Sequence, residues 1–351
     1  MQNYVSLTGK TFYSVQDNQV GMSILFKIRT VRKLVKHKLI DRGVYAKDSH
    51  KNLIIVMYHG IDKHEHTIYN QRFFGKNTFE RHLVSFKKHF NILNADALAN
   101  GNYAADKPNL VLTFDDGYAN NYNYALPLLD KYGVHAYFFV TGLNSVEKKV
   151  LWADAVDIVA HHGKKKSKVT VGGMDFVLRH DEFTSEDGSL TLPAYIRASE
   201  HSGYDEKALI MDQLLAIYDF TKDEQLNDYW QLMTDEQIKT AAQSENITIG
   251  SHGFYHNNLG SLSNEDAAAE VGRSKNYLEG VTQKEVASIG FPDGSYTERL
   301  NDTLLQQGIT QQFVVDYRFG DAGKRDFTYD RTGLYPNMGN THTMVYKILH
   351  Q

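Results

Sequence analysis

The sequence predicts an α/β fold in which parallel strands are joined by crossover helices, and three observations carry that prediction. From Asn52 onward, short apolar runs of strand length alternate with longer stretches of helical spacing. Three of those runs end in polar or glycine-bearing triplets, the punctuation expected where strands of a parallel sheet deliver side chains to one face. The composition is that of an ordinary globular chain: 351 residues, 42% hydrophobic, 23% charged, and 38 Lys+Arg against 42 Asp+Glu for a net charge of -4. At least six strand candidates favour a closed barrel over a small open sheet, although periodicity alone leaves both open.

In chain order, Gly21 to Ile40 comes first. Ile24, Ile28, Val31, Val35 and Leu39 recur at helical spacing, while Lys27, Arg29, Arg32, Lys33, Lys36 and Lys38 supply six positive charges. Such a helix either packs its apolar stripe on the domain or lies on an anionic membrane face. The strand candidates are Leu53 to Met57, Leu110 to Phe114, Ala136 to Val140, Ile247 to Ile249, Val286 to Phe291 and Phe313 to Val315. Helices are predicted over Thr78 to Phe90, Ala119 to Tyr132, Asp235 to Ser244 and Asn264 to Glu279, with Thr78 and Asn264 as N-caps and Gly133 and Gly280 as stops. Between Val150 and Asn246 the pattern loosens. There Val169 to Leu178 reads as a hairpin turning at Gly172-Gly173, and Lys207 to Phe220 as a helix. This stretch offers too few apolar residues for a core of its own, so it reads as an insertion, a lid or specificity element near the mouth or else surface decoration.

Several function classes drop out. The slightly acidic balance gives no reason to expect nucleic acid as a partner. No cysteine is present, so disulfides, thiolate catalysis and Cys-ligated zinc are impossible, and any metal must be held by His, Asp and Glu. Neither a leader with a cleavage site nor an apolar run of roughly 18 residues is found, so a cytoplasmic protein is expected, with peripheral membrane contact through the basic helix as the open variant.

The three punctuated strands are Leu53 to Met57 before Tyr58-His59-Gly60, Leu110 to Phe114 before Asp115-Asp116-Gly117, and Ile247 to Ile249 before Gly250-Ser251-His252. They predict one pocket. His252 and His256 form an H-x-x-x-H pair, which 16 histidines would produce by chance, but this pair follows a strand and a Gly-Ser turn. Asp115-Asp116 is the one Asp-Asp dipeptide in the chain. A carboxylate and two imidazoles suffice to hold a catalytic divalent metal with positions open for water and substrate, and the second carboxylate is then free as a base. The competing reading makes the dipeptide a helix N-cap and the histidines packed side chains.

Leu112-Thr113-Phe114-Asp115-Asp116-Gly117-Tyr118, Gly250-Ser251-His252-Gly253-Phe254-Tyr255-His256-Asn257-Asn258-Leu259 and Ala287-Ser288-Ile289-Gly290-Phe291-Pro292-Asp293-Gly294-Ser295-Tyr296 resemble, in order, three motifs of the NodB-type polysaccharide deacetylases, carbohydrate esterase family 4. The likeness runs from about Leu53 to about Pro336. It implies a distorted (β/α) barrel with fewer than eight strands: an N-terminal extension over 1–50, a NodB-like domain over 51–351, and an insertion over about 151–245. It also implies a metal-dependent hydrolase that removes acetyl groups, most often N-acetyl, from sugars. Residue by residue, the resemblance puts the catalytic base on Asp115 and the metal on Asp116, His252 and His256. Such a dication, zinc foremost, lowers the pKa of bound water from about 16 to about 7. The oxyanion is expected on the metal and on a backbone N–H near Asp293, which follows Pro292 where the family usually has Tyr. Met57-Tyr58-His59 resembles the N-terminal Y-H element of the exopolysaccharide branch, making His59 the acid for the leaving amine; alternatively His59 only bonds a loop carbonyl.

The chain also departs from the family. Many members carry an Arg shortly before the proline of the third motif to orient the catalytic Asp, and Ile289-Gly290-Phe291-Pro292 has none. Arg331, placed just after a predicted strand end, could substitute, or be an ordinary surface arginine. The family's C-terminal L-x-H acid is only faintly echoed by Ile348-Leu349-His350. Leu151-Trp152-Ala153-Asp154 resembles a Trp-x-Asp segment of relatives this long; Trp152 could stack on a sugar face and Asp154 accept its hydroxyls, or the two could be core packing and a helix cap. The expected reaction is hydrolysis of an N-acetyl group on an amino sugar of a polysaccharide, glycolipid precursor or related glycan, with an acetylated carbohydrate as partner. The alternatives are an O-acetyl esterase or deformylase on the same fold, and an inactive glycan-binding barrel.

Overall fold

The computed structural model describes Val35 and residues 53–349, apart from 67, 148, 199–202 and 316–324. The predicted basic helix of Gly21 to Ile40 lies outside the described residues save Val35, which is exposed, and so does His350. Among the described residues no helix is long and apolar enough to cross a membrane.

Seven parallel strands close on themselves: β1 (Leu53–Tyr58), β2 (Asn109–Phe114), β3 (Ala136–Val140), β4 (Ile247–Ser251), β5 (Ser288–Gly290), β6 (Gln311–Val315) and β7 (Thr328–Gly333). Each pairs with its successor in sequence, and β7 returns to β1 through Val56 opposite Thr332 and Met57 opposite Gly333. Helices Lys76–His89, Leu126–Tyr132, Asp235–Ala241, Asn264–Thr282 and Glu298–Gln306 occupy the connections. The barrel expected from the strand count is therefore observed, with fewer than eight strands.

The period-2 alternation of each strand divides the core. Ile54, Val56 and Tyr58 of β1, Leu110, Leu112 and Phe114 of β2, and Ile247 and Ile249 of β4 belong to one large cluster with the surrounding helices. The intervening residues Ile55, Val111, Tyr137, Phe139 and Phe313 form a separate cluster inside the barrel. Glycine at 250 and 290 makes room there, because a Cβ at either position would come within 2.7 Å of the Phe139 ring.

Strand β7 was not among the predicted strands. Its sequence, Thr-Tyr-Asp-Arg-Thr-Gly, has one large apolar residue, so no hydrophobic run marks it. Arg331 accordingly sits within a strand and not after one. Thr78 is the third residue of its helix; the N-cap is Gly75, and the Thr78 N–H donates to Glu65 Oε1 at 3.0 Å. Asn264 yields the N-cap to Ser263, whose side chain accepts from the Asp266 N–H. Gly133 ends its helix in the left-handed conformation as predicted, whereas the helix through Gly280 continues to Thr282 and stops at Gln283. The segment predicted as one helix from Ala119 begins with a π-helical turn, Asn121–Ala125, before the α-helix.

The insertion contains the predicted hairpin, Lys168–Val171 against Met174–Arg179, with Gly172 and Gly173 at φ +55° and +79°, followed by a third antiparallel strand, Glu182–Ser185. The expectation that it lacks apolar residues for a core is corrected. Phe176, Leu178, Phe183, Ile196, Ile210, Met211 and Leu214 are all buried together with Ile158 and Val159 of helix Trp152–His162. The residues are spread thinly along the chain, which hid them, and the cluster also takes in Phe73, Tyr118 and Leu143 of the barrel loops.

Candidate active site

Strand alternation places the chemistry. Continuing the inward series one step past the strand ends carries Ile55 and Met57 to His59, Val111 and Thr113 to Asp115, and Thr248 and Gly250 to His252. Arg331 follows Tyr329 on the inner side of β7, with its guanidinium carbon 5.3 Å from the centre of the Phe139 ring. His59, Asp115, Asp116, His252, His256, Asp293 and Arg331 line one open cleft, together with Trp152, Arg72, Arg197 and Tyr335. The pocket predicted from the strand ends is thus formed.

Asp116, His252 and His256 converge on one point. Asp116 Oδ1 lies 3.3 Å from His252 Nε2 and 3.2 Å from His256 Nε2. Tetrahedral ligands held 2.0–2.1 Å from a common centre stand about 3.3 Å apart, so the spacing fits a metal. His252 Nδ1 is 2.6 Å from the Gly290 carbonyl oxygen; donating its proton there leaves Nε2 as a lone pair aimed at the cluster. Burial alone would raise the Asp116 carboxyl, but hydrogen bonds from His252 and His256, when their Nε2 atoms carry protons, hold it well below the usual carboxylate range; a cation would take the place of those protons. Among the described residues this is the one group of three or more such side chains close enough to hold an ion. Asp116, His256 and Asp293 all adopt positive φ, at 77°, 53° and 51°. Left-handed backbone at three non-glycine residues of one cleft costs of order 1–3 kcal/mol each and marks turns held by their surroundings.

Asp115 stands beside this group without joining it: its Oδ2 is 3.9 Å from His252 Nε2, and its Oδ1 accepts from Arg331 NH1 at 2.6 Å. Arg331 is 1% exposed, so the pair is desolvated and the carboxylate fixed. Arg331 is thus the arginine that bonds Asp115, while Ile289-Gly290-Phe291-Pro292 contains none.

The remaining expectations divide. His59 is half-buried in the cleft wall, its ring centroid 6.4 Å from that of Tyr335, and its Nδ1 has no hydrogen-bond partner. It does not bond a loop carbonyl through that atom. Burial lowers its pKa to about 4 despite the Asp116 charge. Trp152 reaches the cleft, but the Arg197 guanidinium lies 5.3 Å over its ring, the position a stacked sugar would use. Asp154 is corrected as a sugar contact. It is fully buried in the first turn of its helix and accepts from Asn70 Nδ2 (2.8 Å), Arg72 NH2 (2.5 Å) and the Tyr118 hydroxyl (2.9 Å), because a carboxylate removed from water must be satisfied by protein donors. Pro292 is buried in the turn and does not line the cleft. The N–H groups of Gly294 and Ser295 donate to the Phe291 and Pro292 carbonyls within that turn, which occupies two of the backbone donors near Asp293.

Two arginines escaped sequence reasoning. Arg72 stands 3.6 Å from Asp116 Oδ2 and braces Asp154. Arg197, from the insertion, reaches Asp293 at 3.4 Å. Neither belongs to a motif, and both act through residues distant in sequence. Together with Ala153 they also border a second groove, beside the cleft, that passes Asp157 and His161 of helix Trp152–His162.

The sequence profile of the polysaccharide deacetylases matches residues 102–171 and 214–312, a span that includes Asp115, Asp116, His252, His256 and Asp293. The chain belongs to the polysaccharide deacetylase family. The profile passes over 172–213, inside the insertion, and His59 and Arg331 lie outside both matched stretches. A putative polysaccharide deacetylase of Bacillus subtilis, YxkH, is 41% identical over 54 residues, which is 15% of this chain and about a fifth (19%) of that protein's length. The deacetylase PplD of Streptococcus pyogenes, solved in complex with acetate, superposes with a TM-score of 0.51 at 18% identity, over 84% of this chain and 97% of that one. IcaB of Ammonifex degensii gives 0.50 at 16% identity, over 85% and 97%. At these identities the solved structures share the fold.

Proposed function

We propose that the protein is a metal-dependent hydrolase that removes an N-acetyl group from an amino sugar of a polysaccharide, glycolipid precursor or related glycan. One observation carries this reading: an Asp116 oxygen and two imidazole nitrogens meet at ligand spacing beside Asp115, a carboxylate that faces the same cleft and is left over as a base. Asp116, His252 and His256 would hold the ion, and a dication suited to one carboxylate and two imidazoles, zinc first, supplies an acidified water and a polarised acetyl carbonyl. Asp115, fixed by Arg331, accepts the proton of the attacking water. His59 enters the reaction neutral, because burial holds it at about 4. Water plus amide gives acetate plus amine, so the proton taken by Asp115 is the one the departing nitrogen needs, and His59 is the residue in the cleft wall able to hand it on. The groove along helix Trp152–His162 supports a glycan with further units beyond the acetylated sugar.

Metal analysis of the purified protein beside Asp116→Ala tests the reading, followed by acetate release from a panel of acetylated sugars. The wild type is expected to carry about one ion per chain and the variant to lose it with all acetate release; a metal-free wild type that binds none on titration overturns the proposal. A second reading, O-acetyl ester hydrolysis on the same site, is favoured by the neutral state of His59, since an ester's leaving group needs less protonation than an amine.

A further inference from the structure

We propose that Lys207, supplied by the insertion, is a positioning residue that holds the His256 loop in its metal-binding conformation; this rests on the ligand set of the preceding reading. Lys207 lies on helix Tyr204–Ile217 and is 7% exposed. Its Nζ donates to the His256 carbonyl oxygen at 2.8 Å and to Asn257 Oδ1 at 3.3 Å.

A lysine so buried demands explanation, because an ammonium loses its hydration and keeps it lost unless acceptors replace water. Here the two acceptors both belong to the loop that carries one metal ligand, and no carboxylate bonds the ammonium directly among the contacts described. The loop itself needs restraint. His256 has a φ of 53°, a left-handed conformation uncommon outside glycine and kept where its surroundings hold it.

From the other side, Glu270 of helix Asn264–Thr282 accepts from the Tyr255 N–H at 3.0 Å, the Asn257 N–H at 3.4 Å and Asn257 Nδ2 at 2.8 Å. Glu270 gathers the N–H groups flanking His256, and Lys207 takes the carbonyl that points the opposite way. Tyr204, one turn before Lys207, packs on Tyr255 with ring centroids 4.6 Å apart. The insertion is thereby joined to the ligand cluster through a contact that touches neither cation nor substrate.

The test is zinc titration of apoprotein against a competing chromophoric chelator, for wild type, Lys207→Met, Lys207→Arg and Leu209→Ala. Leu209 is 65% exposed on the same helix and serves as control. Outer partners of ligands typically set affinity by 10–100-fold, and Lys207→Met is expected to weaken zinc binding by about that factor. Lys207→Arg should restore most of it, and Leu209→Ala should leave it unchanged. Folded Lys207→Met that binds zinc as tightly as wild type, or more tightly because a nearby cation has gone, overturns the inference. Should Lys207→Met fail to fold, Lys207→Gln carries the same comparison. Absence of zinc binding by the wild type would instead overturn the metal reading itself.

Discussion

At the scale of single residues, the site separates groups that act from groups that aim. Asp116, His252 and His256 point at one another, Asp115 is aimed by Arg331, and His59 waits at the wall with one nitrogen unpartnered. His59→Ala should lower kcat/KM for an N-acetyl substrate by 10²–10⁴-fold, the usual worth of a general acid, and lower it far less for an O-acetyl substrate of the same sugar. Equal losses on both, measured by acetate release, would remove His59 from proton delivery. The four residues of the candidate ligand and base group were legible in the sequence because two of them are adjacent and two are four apart, each pair directly after a strand. Arg331 could be named only as a substitute for something missing. Arg72 could not be named at all, since its partners Asp116 and Asp154 are 44 and 82 positions away and no spacing rule connects them.

At the scale of elements, alternation along the strands does the placing, and small residues make it possible. Gly250 and Gly290 let Phe139 and Arg331 fill the barrel interior beneath the ligands. Gly250→Ala would bring a methyl group to 2.6 Å from the Phe139 ring on one side and close to Ser288 Oγ on the other. The expected cost is about 1–3 kcal/mol of stability, read as a lower urea midpoint, because a packed interior must shift to accept it. An unchanged midpoint would show that Phe139 can move freely. Six of the seven barrel strands were legible because they are buried on both faces and read as apolar runs. The seventh was not, since a strand holding a buried arginine and two threonines carries no such run. The N-cap predicted at Thr78 failed for a related reason. At Thr78 a distant carboxylate, Glu65, does the work that local sequence assigned to the neighbouring side chain.

At the scale of the whole molecule, acid should unfold the protein through its buried histidines. Burial lowers His82 to about 3 and His135 to about 4, and His82 meets the Tyr58 hydroxyl at 3.0 Å in the neutral form. In the unfolded chain both return to about 6.5. Between pH 6.5 and 4 the unfolded chain therefore binds more protons than the native one, and stability falls as pH falls. Each histidine should remove roughly 2 kcal/mol between pH 7 and pH 5, measured by urea unfolding in the presence of chelator. His82→Asn should make that decline shallower; an equally steep decline in the variant would assign the acid sensitivity elsewhere.

The return of β7 to β1 has a bearing on synthesis. The carboxylate at 115 and the three candidate ligands have all left the ribosome well before position 331, yet the guanidinium that bonds that carboxylate arrives with the strand that seals the seam. A nascent chain halted short of residue 328 would possess every reactive group and still lack the shape to use them. It would also bare two unpaired edges, on β1 and β6, to any passing strand. The strand that closes the ring is thus also the one that completes the candidate site.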